Sequence, residues 1–164
     1  MDTGAVVLDK QNAIHPQNIS LAIARALSND ANGFVYKLCL GNNGTFVNSS
    51  SVIIFKQPNT ETQQADLYNQ TYETIVEDQA VGASPSNYVV PVKGAETSIS
   101  AFVLVSALLS ATEPTANPAV TYTFDEVGLK TADGLLLTHL IFTPIDKTTE
   151  MTFLMTYTLE VSAA

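Results

Sequence analysis

The chain contains no tryptophan, one cysteine, two histidines and only seven lysines and arginines in 164 residues. Each shortage excludes something. A single thiol, Cys39, forbids any disulfide within the chain. It sits in Phe34-Val-Tyr-Lys-Leu-Cys-Leu40, a strand-like run in which a small buried hydrophobe is the expected reading and a nucleophile is not. Seven basic against sixteen acidic residues leave a formal charge of −9, with no basic cluster to relieve it locally. Such a field repels phosphate backbones and anionic lipid, so neither nucleic acid nor a membrane is an expected partner. No apolar run reaches the roughly 18 residues of a spanning helix. The longest, Ile99 to Ala111, is shorter and carries serines. The start, MDTGAVVLDKQNAIHPQ, has an aspartate at position 2 and no apolar core, so no secretion leader is expected.

Reactive patterns are missing as well. His15 and His139 stand far apart, in neither an H-x-x-x-H nor an H-E-x-x-H pattern, so no metal is expected. A structural, hydrogen-bonded or half-exposed histidine is the plain reading of His139, between Thr138 and Leu140. Asp125-Glu126 and Glu77-Asp78 are adjacent carboxylates, but strand neighbours face opposite ways, so neither pair is expected to share a site. Their expected place is a solvated rim. There is no G-x-S-x-G elbow and no calcium loop, and Gly41-Asn-Asn-Gly44 lacks the spacing of a phosphate cradle. No catalytic, cofactor-binding or metal-binding residue is assigned, no cofactor is expected, and the chain reads as a non-enzyme.

What the sequence does have is apolar pattern. Hydrophobic residues make up 46% and charged ones 14%, which is apolar for a water-facing domain and points to surface meant for other chains. From Pro16, Ile19, Ala22, Ile23, Ala26 and Leu27 fall on one helical face of roughly three turns, with Asn32-Gly33 as the stop. This helix should lie across a sheet or against a neighbouring subunit. After Gly33 the period changes to that of strands. Phe34 to Leu40 alternates, Gly41 to Gly44 suits a hairpin turn before Thr45-Phe-Val47, and Ser49-Ser-Ser51 turns into Val52 to Lys56.

Residues 57–98 are irregular and read as an extended arm or contact loops, or as short strands Tyr72–Val76 and Tyr88–Val92 around the Ala83-to-Asn87 loop. Ile99 to Ser110 reads as a strand, closed by Glu113-Pro-Thr-Ala-Asn-Pro118. Then come Thr121 to Lys130, the turn Ala132-Asp-Gly134, Leu135 to Phe142, and a turn at Thr143-Pro-Ile-Asp-Lys147. In the last strand Met151, Phe153, Met155, Tyr157, Leu159 and Val161 share one face. The expected architecture is a single mainly β domain over residues 1–164, a two-layer antiparallel β-sandwich with one short N-terminal amphipathic helix.

The order Phe124-Asp-Glu-Val-Gly-Leu129, Asp133-Gly134, Leu136-Leu-Thr-His-Leu-Ile-Phe142, Thr143-Pro-Ile-Asp-Lys-Thr148 and Tyr157-Thr-Leu-Glu-Val161 resembles a pattern in collar and tail-fibre-mounting proteins of tailed bacteriophages. Ile19 to Leu27, Leu40-Gly-Asn-Asn-Gly-Thr45 and Ala65-Asp-Leu-Tyr-Asn-Gln-Thr-Tyr72 are similar to segments of small virion proteins of contractile-tailed phages, so that about half of the chain is covered. The resemblance implies a virion structural protein in many copies on the head or neck, as capsid decoration or neck and collar component. Its expected partners are itself, as a homo-oligomer, and other capsid, neck or tail subunits. A tail-fibre or baseplate adaptor is the alternative, and a carbohydrate-binding host-recognition module stands behind it.

Overall fold

The computed structural model describes residues 8–77, 85–94 and 100–162. Asp78 of the Glu77-Asp78 pair, residues 83 and 84 of the expected loop, Ile99 and the first seven residues lie outside these ranges. In chain order come β1 (Ala13–Ile14), α1 (Pro16–Leu27), β2 (Lys37–Gly41), β3 (Thr45–Val47), β4 (Ile53–Phe55), β5 (Gln70–Ile75), β6 (Tyr88–Lys93), β7 (Ser100–Leu109), β8 (Tyr122–Lys130), β9 (Leu136–Lys147) and β10 (Phe153–Ser162). One sheet has the order β1-β9-β8-β2-β5 and another β10-β7-β6, while β3 and β4 form a ribbon of their own. All strand pairs are antiparallel.

The two larger sheets share one core, as the mainly β, sandwich-like expectation requires. Leu38, Leu40, Phe124, Val127, Leu129, Leu137, Leu140 and Phe142 from the five-stranded sheet meet Val105, Ala107, Leu109, Tyr157 and Leu159 from the three-stranded one. The alternation in β10 puts Phe153, Met155, Tyr157 and Leu159 on this inner side, as the sequence period demands. Asn87 ties the sheets together at one edge. Its amide donates to the Thr74 hydroxyl and the Ile75 carbonyl at 3.0 Å, and its oxygen accepts from Leu108 N–H at 2.8 Å.

Near the end of β7, Glu113 fastens the connection to β8. Tyr72 OH donates to one carboxylate oxygen at 2.9 Å, and the Ser110 N–H and hydroxyl both donate to the other at 2.9 Å. Burial works against the charge of Glu113, but these donors outweigh it and hold the carboxyl below its ordinary pKa. Burial first, and then the carboxylate, push Tyr72 up to about 12. A carboxyl depressed in the folded state stabilises above its unfolded pKa, and that contribution disappears as pH falls through the folded value. Glu113→Gln therefore melts below the wild type at neutral pH, and the gap closes as the pH drops below about 4. Melting curves of both proteins across pH 2–8 check this, and a gap of constant size would refute it.

Several sequence expectations need correction. Thr143 to Lys147 is not a turn: β9 runs through it to Lys147, and the chain reverses later, around Thr149-Glu150. Pro144 is tolerated because the β8–β9 ladder is irregular there, pairing Phe124 with Ile145 and Glu126 with Ile141 and leaving the residues between without regular partners. Gly41 to Gly44 does not join a hairpin, since β2 pairs with β5 and β8, and β3 with β4. Residues 57–69 are not a projecting arm. They lie on the outer face of the five-stranded sheet with Ala65 and Leu67 buried, and β5 and β6 account for the strand alternative. The helix stops at Leu27, capped by Ser28, ahead of Asn32-Gly33. Only Asn18 and Ala22 on it are buried, and Leu27 is 85% exposed.

Candidate interaction surface

The surface starts from a break in the β8–β9 register, where the single residue between Phe124 and Glu126 lies opposite three residues of β9. Were the strand regular, Phe124 and Val127 would face opposite ways, yet both lie in the core. The irregularity between Phe124 and Glu126 absorbs the difference. It places Asp125 and Glu126 away from the core, against the segments that cross the outer face. The solvated-rim expectation for this pair is therefore wrong. Asp125 is 3% exposed and Glu126 is 0% exposed, and each carboxylate is filled by main-chain donors.

Asp125 accepts from Gly44 N–H at 2.9 Å, Thr45 N–H at 2.8 Å and the Thr45 hydroxyl at 2.6 Å. Glu126 accepts from Tyr68 N–H and Asn69 N–H, each at 2.8 Å. Its Oε2 also lies 3.0 Å from Nε2 of His139, whose Nδ1 accepts from Asn59 N–H at 2.8 Å. With Nδ1 accepting, the ring proton sits on Nε2 and is donated to Glu126. Gly41 makes room for the carboxylate, since a Cβ there would come within 2.6 Å of Glu126 Oε1 and 2.5 Å of Asn69 O.

His15 performs the same service from the other side. It caps α1 by accepting Asn18 N–H on Nδ1 at 3.3 Å, and its Nε2 lies 2.6 Å from the Thr62 carbonyl. Asn18 then donates to Leu136 O at 2.8 Å. Both histidines are fully buried, and the structure brings neither to an open cleft. Cys39 is buried with Leu67 and Leu136, and burial pushes its thiol up to about 12, which keeps it a protonated packing group at neutral pH. Among the described residues no group of three or more His, Cys, Asp or Glu is arranged to hold a metal, and no helix is long and apolar enough to cross a membrane.

The anchored chain then leaves the sheet as the β3–β4 ribbon. Lys56 N–H donates to Gly44 O at 2.9 Å and closes its root. At the tip, Asn48 Oδ1 accepts from Ser50 and Val52 N–H at 2.9 and 3.0 Å, and Ser51 takes a positive φ of 60°. Val47 pairs with Ile53 and Phe46 with Ile54, so apolar side chains appear on both faces. Phe46, Val47, Val52, Ile53 and Phe55 are each between 39% and 65% exposed. A lone two-stranded ribbon is marginal in water, and this one is also apolar on its open surface. Its root is held by hydrogen bonds while its apolar side chains stay part-exposed.

Reasoning from the sequence placed these strands but not their exposure. The available signal was the unbroken apolar run Val52-Ile-Ile-Phe55, where a ribbon facing water would alternate with polar residues. No protein-family model matches the chain, and neither a curated protein nor a solved structure matches it at a significant level.

Proposed function

We propose that the protein is a non-enzymatic structural component of a bacteriophage virion, assembling in multiple copies in the head and neck region as capsid decoration or as a neck or collar subunit. The observation that carries this reading is the apolar β3–β4 ribbon, clamped at its root by Asp125 and leaving Phe46, Val47, Val52, Ile53 and Phe55 between 39% and 65% exposed. An aqueous protein that served alone would gain by covering or alternating those residues, whereas a lateral contact uses them as they stand. The resemblance of the Phe124-to-Val161 pattern to phage collar and fibre-mounting proteins supplies the setting. Glu126, His139 and His15, spent on internal hydrogen bonds, supply the shape.

Imaging purified virions and counting the copies tests the proposal directly. Many copies over the head fit decoration, and a single ring at the neck fits a collar subunit. A small cluster at the distal tail would shift the assignment to an adaptor, and absence from the particle would end the reading. The ribbon can be tested separately with Phe46→Asp combined with Val47→Asp. Phe46 is 50% and Val47 65% exposed, so stability should fall by only about 1–2 kcal/mol in total and the sandwich should still fold. Incorporation into particles should fall by about tenfold or more. Normal incorporation of the folded variant would show that contacts lie elsewhere.

A further inference from the structure

The two larger sheets have four edges, and three of them are blunted. β1 is two residues long. β6 carries Pro91 and Lys93. β5 has its Thr74 hydroxyl and Ile75 carbonyl engaged by Asn87. These are the usual devices that stop a sheet from adding a strand. β10 has none of them. It runs ten residues in unbroken register with β7, from Phe153 opposite Leu109 to Ser162 opposite Ser100. It contains no proline and no bulge, and its one charged residue is Glu160. Among the described residues, its main chain makes no hydrogen bond outside the ladder with β7. Half the N–H and C=O groups of such an edge strand point away from its neighbour.

We propose that β10 is a self-pairing edge: two copies join antiparallel through β10 about a two-fold axis and merge their three-stranded sheets into one of six strands. Three features select a second copy as the occupant. The first is length, since β10 itself supplies a free partner of the same ten residues. The second is charge. Two chains of net charge −9 repel over most of their surface, and a ten-residue seam with a single carboxylate, Glu160, lets them approach.

The third is register. A two-fold perpendicular to the sheet keeps each core face on the same side and so pairs residues of the same parity. Centred on Tyr157, it sets Thr156 against Thr158 and Glu160 against Leu154 of the other copy. Centred on Thr158, it sets Glu160 against Thr156. Either way the two Glu160 carboxylates stay about 13 Å or more apart along the strands. The half-buried Phe153 and Met155 and the exposed Val161 then gain cover from the neighbouring sandwich, and Leu154, now 66% exposed, gains a cross-strand neighbour.

This deepens the self-assembly part of the proposed function and rests on that reading only there. It is tested on the purified full chain without particles, so its failure and the failure of the virion assignment are separate results. Light scattering after size exclusion should give twice 17.5 kDa. The double substitution Thr156→Glu and Thr158→Glu, at two exposed outer-face positions, places carboxylates opposite one another in either register and should weaken the dimer by about tenfold or more. A second readout does not depend on how that variant folds. Under mild oxidation, Thr158→Cys should cross-link to itself if the axis passes through Thr158, and to Thr156→Cys in a mixture if it passes through Tyr157. A monomeric wild type, or a dimer that forms neither cross-link, would overturn the proposal. The latter result would point to another face or another partner strand.

Discussion

Glu126→Ala should lower the unfolding free energy by about 3–5 kcal/mol, the cost expected when one side chain that accepts three hydrogen bonds is removed from under the outer layer. The carboxylate is 0% exposed and satisfies Tyr68 N–H, Asn69 N–H and His139 Nε2 together. Its removal leaves one buried and two part-buried donors without an acceptor. The damage has a location. Asn59 is held through His139 and Tyr68-Asn69 through Glu126, so residues 59–69 lose their grip on the sheet before the sandwich core does. Urea titration gives the size of the loss, and amide exchange gives its place, with deprotection concentrated at Asn59 to Asn69. A loss below about 1 kcal/mol with that segment still protected would show that the cluster is not the clamp.

Phe124→Ala should cost about 3–5 kcal/mol for a different reason. Phe124 is 1% exposed and is the largest fully buried side chain among the described residues, and Tyr122 stacks on it at a ring separation of 6.1 Å. Truncation opens a cavity between two sheets that are each tied by ladder hydrogen bonds and cannot close on it. Unfolding should stay cooperative, with a lower urea midpoint and an unchanged slope, and deprotection should extend across both sheets rather than one loop. Local deprotection limited to 59–69 would place Phe124 outside the shared core. Together the two variants separate what holds the outer layer from what holds the sandwich.

The same stretch of β8 shows how far the sequence could be read. Phe124 and Val127 were legible as apolar strand residues, and the Ala132-Asp-Gly134 turn was legible from its residues, with Gly134 at a φ of 90°. The burial of Asp125 and Glu126 was not legible. Regular alternation assigns neighbours to opposite faces, and only the pairing with β9 reveals the break in register. The expected turn at Thr143 to Lys147 failed for a related reason. Pro144 is a turn signal in isolation, but a break in regular pairing accommodates it within β9.

By itself the sequence determined the class of the protein: one helix of three turns, strands elsewhere, no disulfide within the chain, an acidic balance and the inner row of β10. Those features depend on local period and composition, which a chain carries before it folds. Tertiary structure decided which apolar residues remained uncovered, which carboxylates were spent on main-chain donors, and which sheet edge was left open. These depend on register between strands distant in the chain, where a shift of one residue exchanges inside for outside. The ribbon of Phe46, Val47, Ile53 and Phe55 and the edge of β10 are products of that register, and the assembly proposed here would depend on them.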